Sequence, residues 1–133
     1  MSKAKATALP EIKVLSVKQP HAHNIVGGFK KIEHRTWHVH YRGQIYIQAS
    51  GKPVKVKFET GETDFLPTGL VIGRVMLVDI VKKGHSDFEW VLEKPEEIKP
   101  FKLKGQQSLF IRVVDTSKIE VVDNYFEWVN LAK

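Results

Sequence analysis

Apolar and polar residues alternate along most of this chain, and helical spacing is confined to two short stretches. Ile12 to Val17, rich in β-branched residues, predicts a first strand. Pro20 then stands at a helix start with Gln19 as its cap, and Ala22, Ile25 and Val26 follow at helical spacing before Gly27 and Gly28 close the helix. From Lys31 to Trp37 the chain reads as extended, with Lys31, Glu33, Arg35 and Trp37 on one face and Ile32, His34 and Thr36 on the other. Gln44 to Ser50 alternates as a half-buried strand, with Ile45, Ile47 and Ala49 inward. The Lys-Pro-Val-Lys-Val-Lys-Phe run from Lys52 predicts an exposed strand or arm, and Gly61 to Pro67 predicts a loop. Gly69 to Val81 is the most hydrophobic run and predicts a long central strand broken or bent at Gly73. A shorter strand is expected over Phe88 to Leu92, a connection bracketed by Pro95 and Pro100, and a second long strand over Leu109 to Val114. Tyr125, Trp128 and Leu131 return to helical spacing behind Asp123, a residue suited to capping.

Many short strands, few helices and long-range pairing predict a mainly β fold, a small β-barrel with α decoration. Residues 1–10 lack both period and bulk and read as a flexible lead, leaving 11–133 as a single domain. At 133 residues, 42% of them hydrophobic, the chain suffices for one core. It has no cysteine, which excludes disulfides and thiolate metal sites. No stretch offers the ~20 consecutive apolar residues of a membrane-spanning helix, so a cytoplasmic protein with no membrane partner is expected.

Charge changes the picture more than composition does. Between residues 12 and 58 nine lysines or arginines face one acid, Glu33, a balance of +8, and five of the six histidines fall there. From residue 59 onward ten basic residues face thirteen acids, a balance of −3. A basic half beside a mildly acidic one favours a polyanionic partner, because clustered cations release counterions on binding.

The densest chemistry lies in Gly28-Phe29-Lys30-Lys31-Ile32-Glu33-His34-Arg35-Thr36-Trp37. Lys30 offers a point charge and Arg35 a bidentate fork for phosphate or carboxylate, while Glu33 either orients Arg35 or acts as a base. Trp37 and Tyr41 can stack an unpaired base or pack in the core, and Trp90 and Trp128 read as core. His34, on the opposite face, is expected to pack inward. His38 and His40 share a strand face, but without a matching carboxylate or thiolate no metal and no cofactor is expected.

Gly28-x-Lys30-x-x-Glu33-x-Arg35 resembles the signature of the ASCH domain family, a branch of the PUA-like barrels. Leu15 to Pro20, Trp37 with Tyr41-Arg42-Gly43, Gly69 to Val81 and Lys104-Gly105-Gln106 resemble further blocks of that family. The resemblance implies a PUA-like pseudo-β-barrel whose short flanking helix leaves a cleft lined by the motif. It further implies a monomeric domain that recognises single-stranded RNA or a nucleotide through Lys18, Lys30, Lys31, Glu33, Arg35, Trp37, Tyr41 and Arg42. Some members resemble hydrolases, either ribonucleases or amidohydrolases of a modified nucleoside such as N4-acetylcytidine; in the latter the motif lysine works with a threonine three residues on. Lys30 matches that lysine, whereas Glu33 replaces the threonine, so an enzyme here would use Lys30 with Glu33 as general base. A protein-interaction adaptor using the basic face is the third expectation.

Overall fold

In the computed structural model, which describes residues 10–57 and 60–122, the alternating stretches become nine strands and one α-helix among the described residues. They follow in the order β1 (Glu11–Lys18), α1 (His21–Val26), β2 (Ile32–Arg35), β3 (Gly43–Ser50), β4 (Val54–Lys57), β5 (Thr63–Leu66), β6 (Leu70–Gly84), β7 (Asp87–Lys102), β8 (Leu109–Val113), a 3₁₀ turn (Thr116–Lys118) and β9 (Val121–Val122). The main sheet runs β2-β7-β6-β3-β1-β8, with β9 added to β7, and β4 with β5 forms a separate hairpin. All its pairs are antiparallel except β1 with β3, where α1 and β2 supply the long crossover that parallel neighbours need. The expected C-terminal helix and the N-terminal lead fall outside the described residues, apart from Pro10.

The sheet curls until its edge strand β2 reaches β1. Arg35 Nη2 spans that gap, donating to the Ser16 carbonyl at 3.0 Å. No backbone ladder joins β2 to β1 among the described residues, so this mainly β, PUA-like pseudo-barrel is fastened there by a side chain and not closed. Inside the curl, Leu15 and Val17 of β1, Ile45 and Ile47 of β3, Val75 and Leu77 of β6 and Trp90 and Leu92 of β7 pack with Ala22, Ile25 and Val26 of α1. Opposite faces of the same strands make a second core, in which Ile12, Val14 and Tyr46 meet Val71, Ile98 and Phe110. Strand β3 is therefore buried on both faces, not half-buried, and its Tyr46 and Gln48 point into or beside this second core.

The prolines do not break β7. The two expected pieces, the strand over Phe88 to Leu92 and a proline-marked connection, are one strand of 16 residues. Its register against β6 shifts where Lys94 and Pro95 lie between the paired Glu93 and Glu96, and again between Glu97 and Phe101, the interval that holds Pro100. A bulge leaves a residue out of the ladder, which is where a residue lacking an N–H is tolerated in a sheet. The expected loop over Gly61 to Pro67 likewise contains strand β5, whose Leu66 is drawn inward opposite Val54. At Gly73 a side chain would fall on Val26 and within 2.6 Å of the Glu96 carbonyl oxygen, so glycine is what lets α1 approach β6.

Helix α1 is six residues long and cannot stand without its packing. Pro20 holds the N-cap position where Gln19 was expected, and the Gln19 side-chain oxygen, one residue earlier, accepts from the His23 backbone N–H at 3.2 Å. The same glutamine's amide nitrogen adjoins His23 Nδ1. Burial pushes the His23 imidazole down from 6.5 to about 4. Between those values the unfolded chain binds the proton and the folded chain does not, so stability is fully present above about pH 6.5 and declines as the pH falls toward 4. The loss at pH 4.5 relative to pH 7 is expected to be about 2–3 kcal/mol from this group. Urea unfolding at the two pH values checks it: His23→Leu should show a correspondingly flatter dependence, whatever its absolute stability.

Candidate functional site

The motif is set in place by backbone bonds at the end of α1. Gly27 N–H donates to the His23 carbonyl and Gly28 N–H to that of Ile25, after which both Phe29 and Lys30 N–H donate to the Asn24 carbonyl at 2.8 and 2.9 Å. Gly28 makes this reversal at a φ of +85°, a conformation open to glycine at little cost. The chain then enters β2, which pairs with β7 so that Glu33 lies opposite Trp90 and Arg35 opposite Phe88. Glu33 is only 8% exposed. Arg35 Nε and Nη2 both donate to Glu33 Oε2, at 3.1 and 2.9 Å, and Lys30 Nζ stands 3.5 Å from Glu33 Oε1. Both carboxylate oxygens are thus engaged by cations.

Glu33 and Arg35 border a cleft of about 860 Å³ between β2 and β1. Ser16, Val17 and Lys18 of β1 line one wall and Glu33 to Trp37 the other, with His21, Ser50 and the loop Gly105 to Ser108 completing the rim. Arg35 Nη1 makes no hydrogen bond to another described residue, which leaves its donors for a ligand. The Trp37 indole meets Trp90 edge to face at 4.8 Å, and Trp90 Nε1 donates to the Trp37 carbonyl at 3.2 Å. Trp37 is both a partner of the core and a wall of the cleft. Behind Ser16, Gln48, 2% exposed, accepts from Ser16 Oγ at 2.6 Å and donates to the Leu103 carbonyl at 2.7 Å, tying β1 and β3 to the segment that leads into the 105–108 loop.

The residues expected to form one site are therefore divided. Lys18, Glu33, Arg35 and Trp37 meet in the cleft. Lys30 reaches it only through Glu33, and with Lys31 it opens onto a second hollow of about 380 Å³ floored by Ile25, Val75 and Leu92. Tyr41 and Arg42 line neither: the Tyr41 hydroxyl donates to the Gln44 carbonyl with Lys13 above its ring, and Arg42 Nη1 donates to the carbonyls of Val39 and Tyr41. Their role is to brace the turn before β3. His34 is a correction, since it is exposed with Nδ1 3.8 Å from Asp87 Oδ1 and does not pack inward. The rings of His38 and His40 stack edge to face at 5.7 Å, and no group of three His, Asp or Glu side chains suited to a metal occurs among the described residues. Ser16, His21, Ser50 and the Gly105 to Ser108 loop were not assigned to the site from sequence, although Gly105 and Gln106 belong to a block that carried the family resemblance.

These features define a class: a small, mainly β, PUA-like domain whose basic cleft opens beside a short helix and its glycine-led motif strand. The chain belongs to the ASCH domain family, whose family model matches residues 15–132. It is 27% identical over 124 aligned residues to Activating signal cointegrator 1 from Mus musculus and, equally, from Homo sapiens, an alignment covering 72% of this chain and 21% of each relative. The match thus spans about one fifth of the length of those relatives. Among solved structures, the crystal structure of a ZmASCH mutant protein from Zymomonas mobilis superposes with a TM-score of 0.53 over 77% of this chain and 88% of that one, at 18% identity, and so shares the fold. No helix among the described residues is long and apolar enough to cross a membrane.

Proposed function

We propose that this domain binds single-stranded RNA, or one nucleotide of it, in the cleft between β1 and β2. The observation that carries this reading is Arg35, whose guanidinium is held on one side by Glu33 and the Ser16 carbonyl and keeps Nη1 for a ligand oxygen. Pre-oriented in this way, the arginine loses little side-chain entropy when it meets a phosphate. Lys18 on the opposite wall supplies a second cation, and the volume lies within the usual range of ligand sites. The ASCH membership and the +8 balance of residues 12–58 support a polyanionic ligand as well.

The pairing of Glu33 favours binding over hydrolysis. A general base needs a free oxygen facing the proton it removes, whereas each Glu33 oxygen faces a cation. Fluorescence anisotropy with a labelled uridine oligonucleotide tests the binding reading across a salt series. Two to three phosphate contacts predict a slope of roughly −2 for log K against log salt. Affinity that does not change from low to high salt removes the phosphate contacts and leaves a packing-driven adaptor as the better description.

A further inference from the structure

Hairpin β4–β5 is separate from the main sheet, and its register sorts side chains by face. Val54 pairs with Leu66 and Val56 with Asp64, while Lys55 pairs with Phe65 and Lys57 with Thr63. Residues directly opposite share a face of an antiparallel pair. Val56 and Leu66, 8% and 4% exposed, turn that first face inward. The second face carries the Phe65 ring, 58% exposed, with Lys55 directly across from it and Lys57 on the diagonal. The hairpin's described acids sit elsewhere: Asp64 accepts from the Phe65 N–H on the other side of the strand, and Glu62 is tied to Thr60 in the turn. Packing does not account for the ring, because Leu66 next to it already anchors the strand.

Both stems of the hairpin rise from the rim of the cleft. Ser50, which lines the cleft, ends β3 just before the chain enters the hairpin at Gly51. On the return, the Pro67 carbonyl accepts from Gln19 Nε2 at 3.0 Å, beside Lys18. Lys55 is five residues beyond Ser50, at most roughly 16 Å along the chain, a distance that an oligonucleotide leaving the cleft over Lys18 can span. An exposed aromatic ring flanked by cations is the arrangement on which single-stranded binders stack bases, because every base offers a π-face and a neighbouring phosphate.

We propose that the outward face of the hairpin, Phe65 with Lys55 and Lys57, is a stacking platform for an unpaired base of the RNA strand a few nucleotides along from the one that occupies the cleft. This rests on the RNA reading of the cleft, and it extends the footprint from one nucleotide to a short single strand. Affinity then depends on length: a dinucleotide fills the cleft alone, whereas a decanucleotide reaches the platform.

The test measures binding of labelled uridine dinucleotide and decanucleotide to the wild type, Phe65→Ala, Phe65→Trp and Arg35→Ala, each checked for folding by circular dichroism. Phe65→Ala should weaken the decanucleotide about tenfold, the effect of one lost stacking contact, and leave the dinucleotide unchanged. Phe65→Trp should restore the wild-type value, and Arg35→Ala should weaken both lengths. Decanucleotide binding that ignores Phe65→Ala but responds to Arg35→Ala overturns the platform and leaves the cleft reading standing. Response to Phe65→Ala without response to Arg35→Ala overturns the cleft reading and with it the two-part footprint, leaving RNA on the hairpin alone. Absence of binding at either length by the wild type overturns both. Phe65-dependent capture of polyglutamate without any effect of Phe65 on RNA also overturns the proposal, marking the face as a protein-docking surface.

Discussion

Arg35→Ala is expected to weaken binding of a single-stranded oligonucleotide by about 1–3 kcal/mol, the range for a lost charge-assisted contact, while the domain stays folded. The expectation follows from what the guanidinium touches. It carries two bonds to Glu33, one to the Ser16 carbonyl across the open seam of the sheet, and one nitrogen for the ligand. Alanine removes the ligand contact and the seam bridge together. It also leaves Glu33 with Lys30 as its remaining cation. Lys30→Ala should cost less ligand affinity, because Lys30 meets the cleft only through Glu33 and otherwise faces the second hollow. Glu33→Gln separates the two roles of the carboxylate. Glutamine keeps the shape and can still accept from Arg35, so a binding module loses modestly. Turnover of an RNA or modified nucleoside that disappears in Glu33→Gln while binding persists would establish the hydrolase. If instead Arg35→Ala binds as the wild type does in anisotropy titrations, the cluster is a structural ion network and the cleft is not the site.

Trp90→Ala should destabilise the fold by about 3–5 kcal/mol, the usual cost of truncating a buried large aromatic. Trp90 is 0% exposed and stands in the central core opposite Glu33 on the paired strand. Its indole also packs against Trp37 and donates to the Trp37 carbonyl, so the cavity left by alanine would lie directly under the cleft wall. Trp90→Phe keeps much of the volume and loses the N–H bond, leaving an expected loss nearer 1–2 kcal/mol. Denaturant midpoints for the pair check the ordering. Equal stability of Trp90→Ala and the wild type would mean that the core does not depend on this ring.

The sequence by itself determined the strands whose burial follows a local pattern. The odd positions of β3 from Ile45 to Ala49, the irregular pairing of β6 at Gly73, the apolar positions of α1 and the glycine turn into the motif could all be read, because side-chain alternation, helical spacing and glycine conformation are properties of a few neighbouring residues. The family resemblance of the Gly28 to Arg35 segment placed those elements in a PUA-like fold, and Glu33 beside Arg35 follows from their position two apart on one strand. What only the tertiary structure decided depends on residues far apart in the chain. The curl of the sheet brings Ser16 to Arg35 and the 105–108 loop to the cleft, a relation invisible to any local window. Tyr41 and Arg42, close to the motif in sequence, turn away because the chain must reverse before β3 and their side chains brace that reversal. Pro95 and Pro100 read as a break and are not one, since bulges against β6 leave room in β7 for residues that lack an N–H. Lys30 and Lys31 share a stretch of sequence with Arg35 but open onto another hollow, because they precede β2 and lie where the chain leaves α1 beside the Leu92 to Pro95 stretch of β7, whose Leu92 N–H donates to the Lys31 carbonyl.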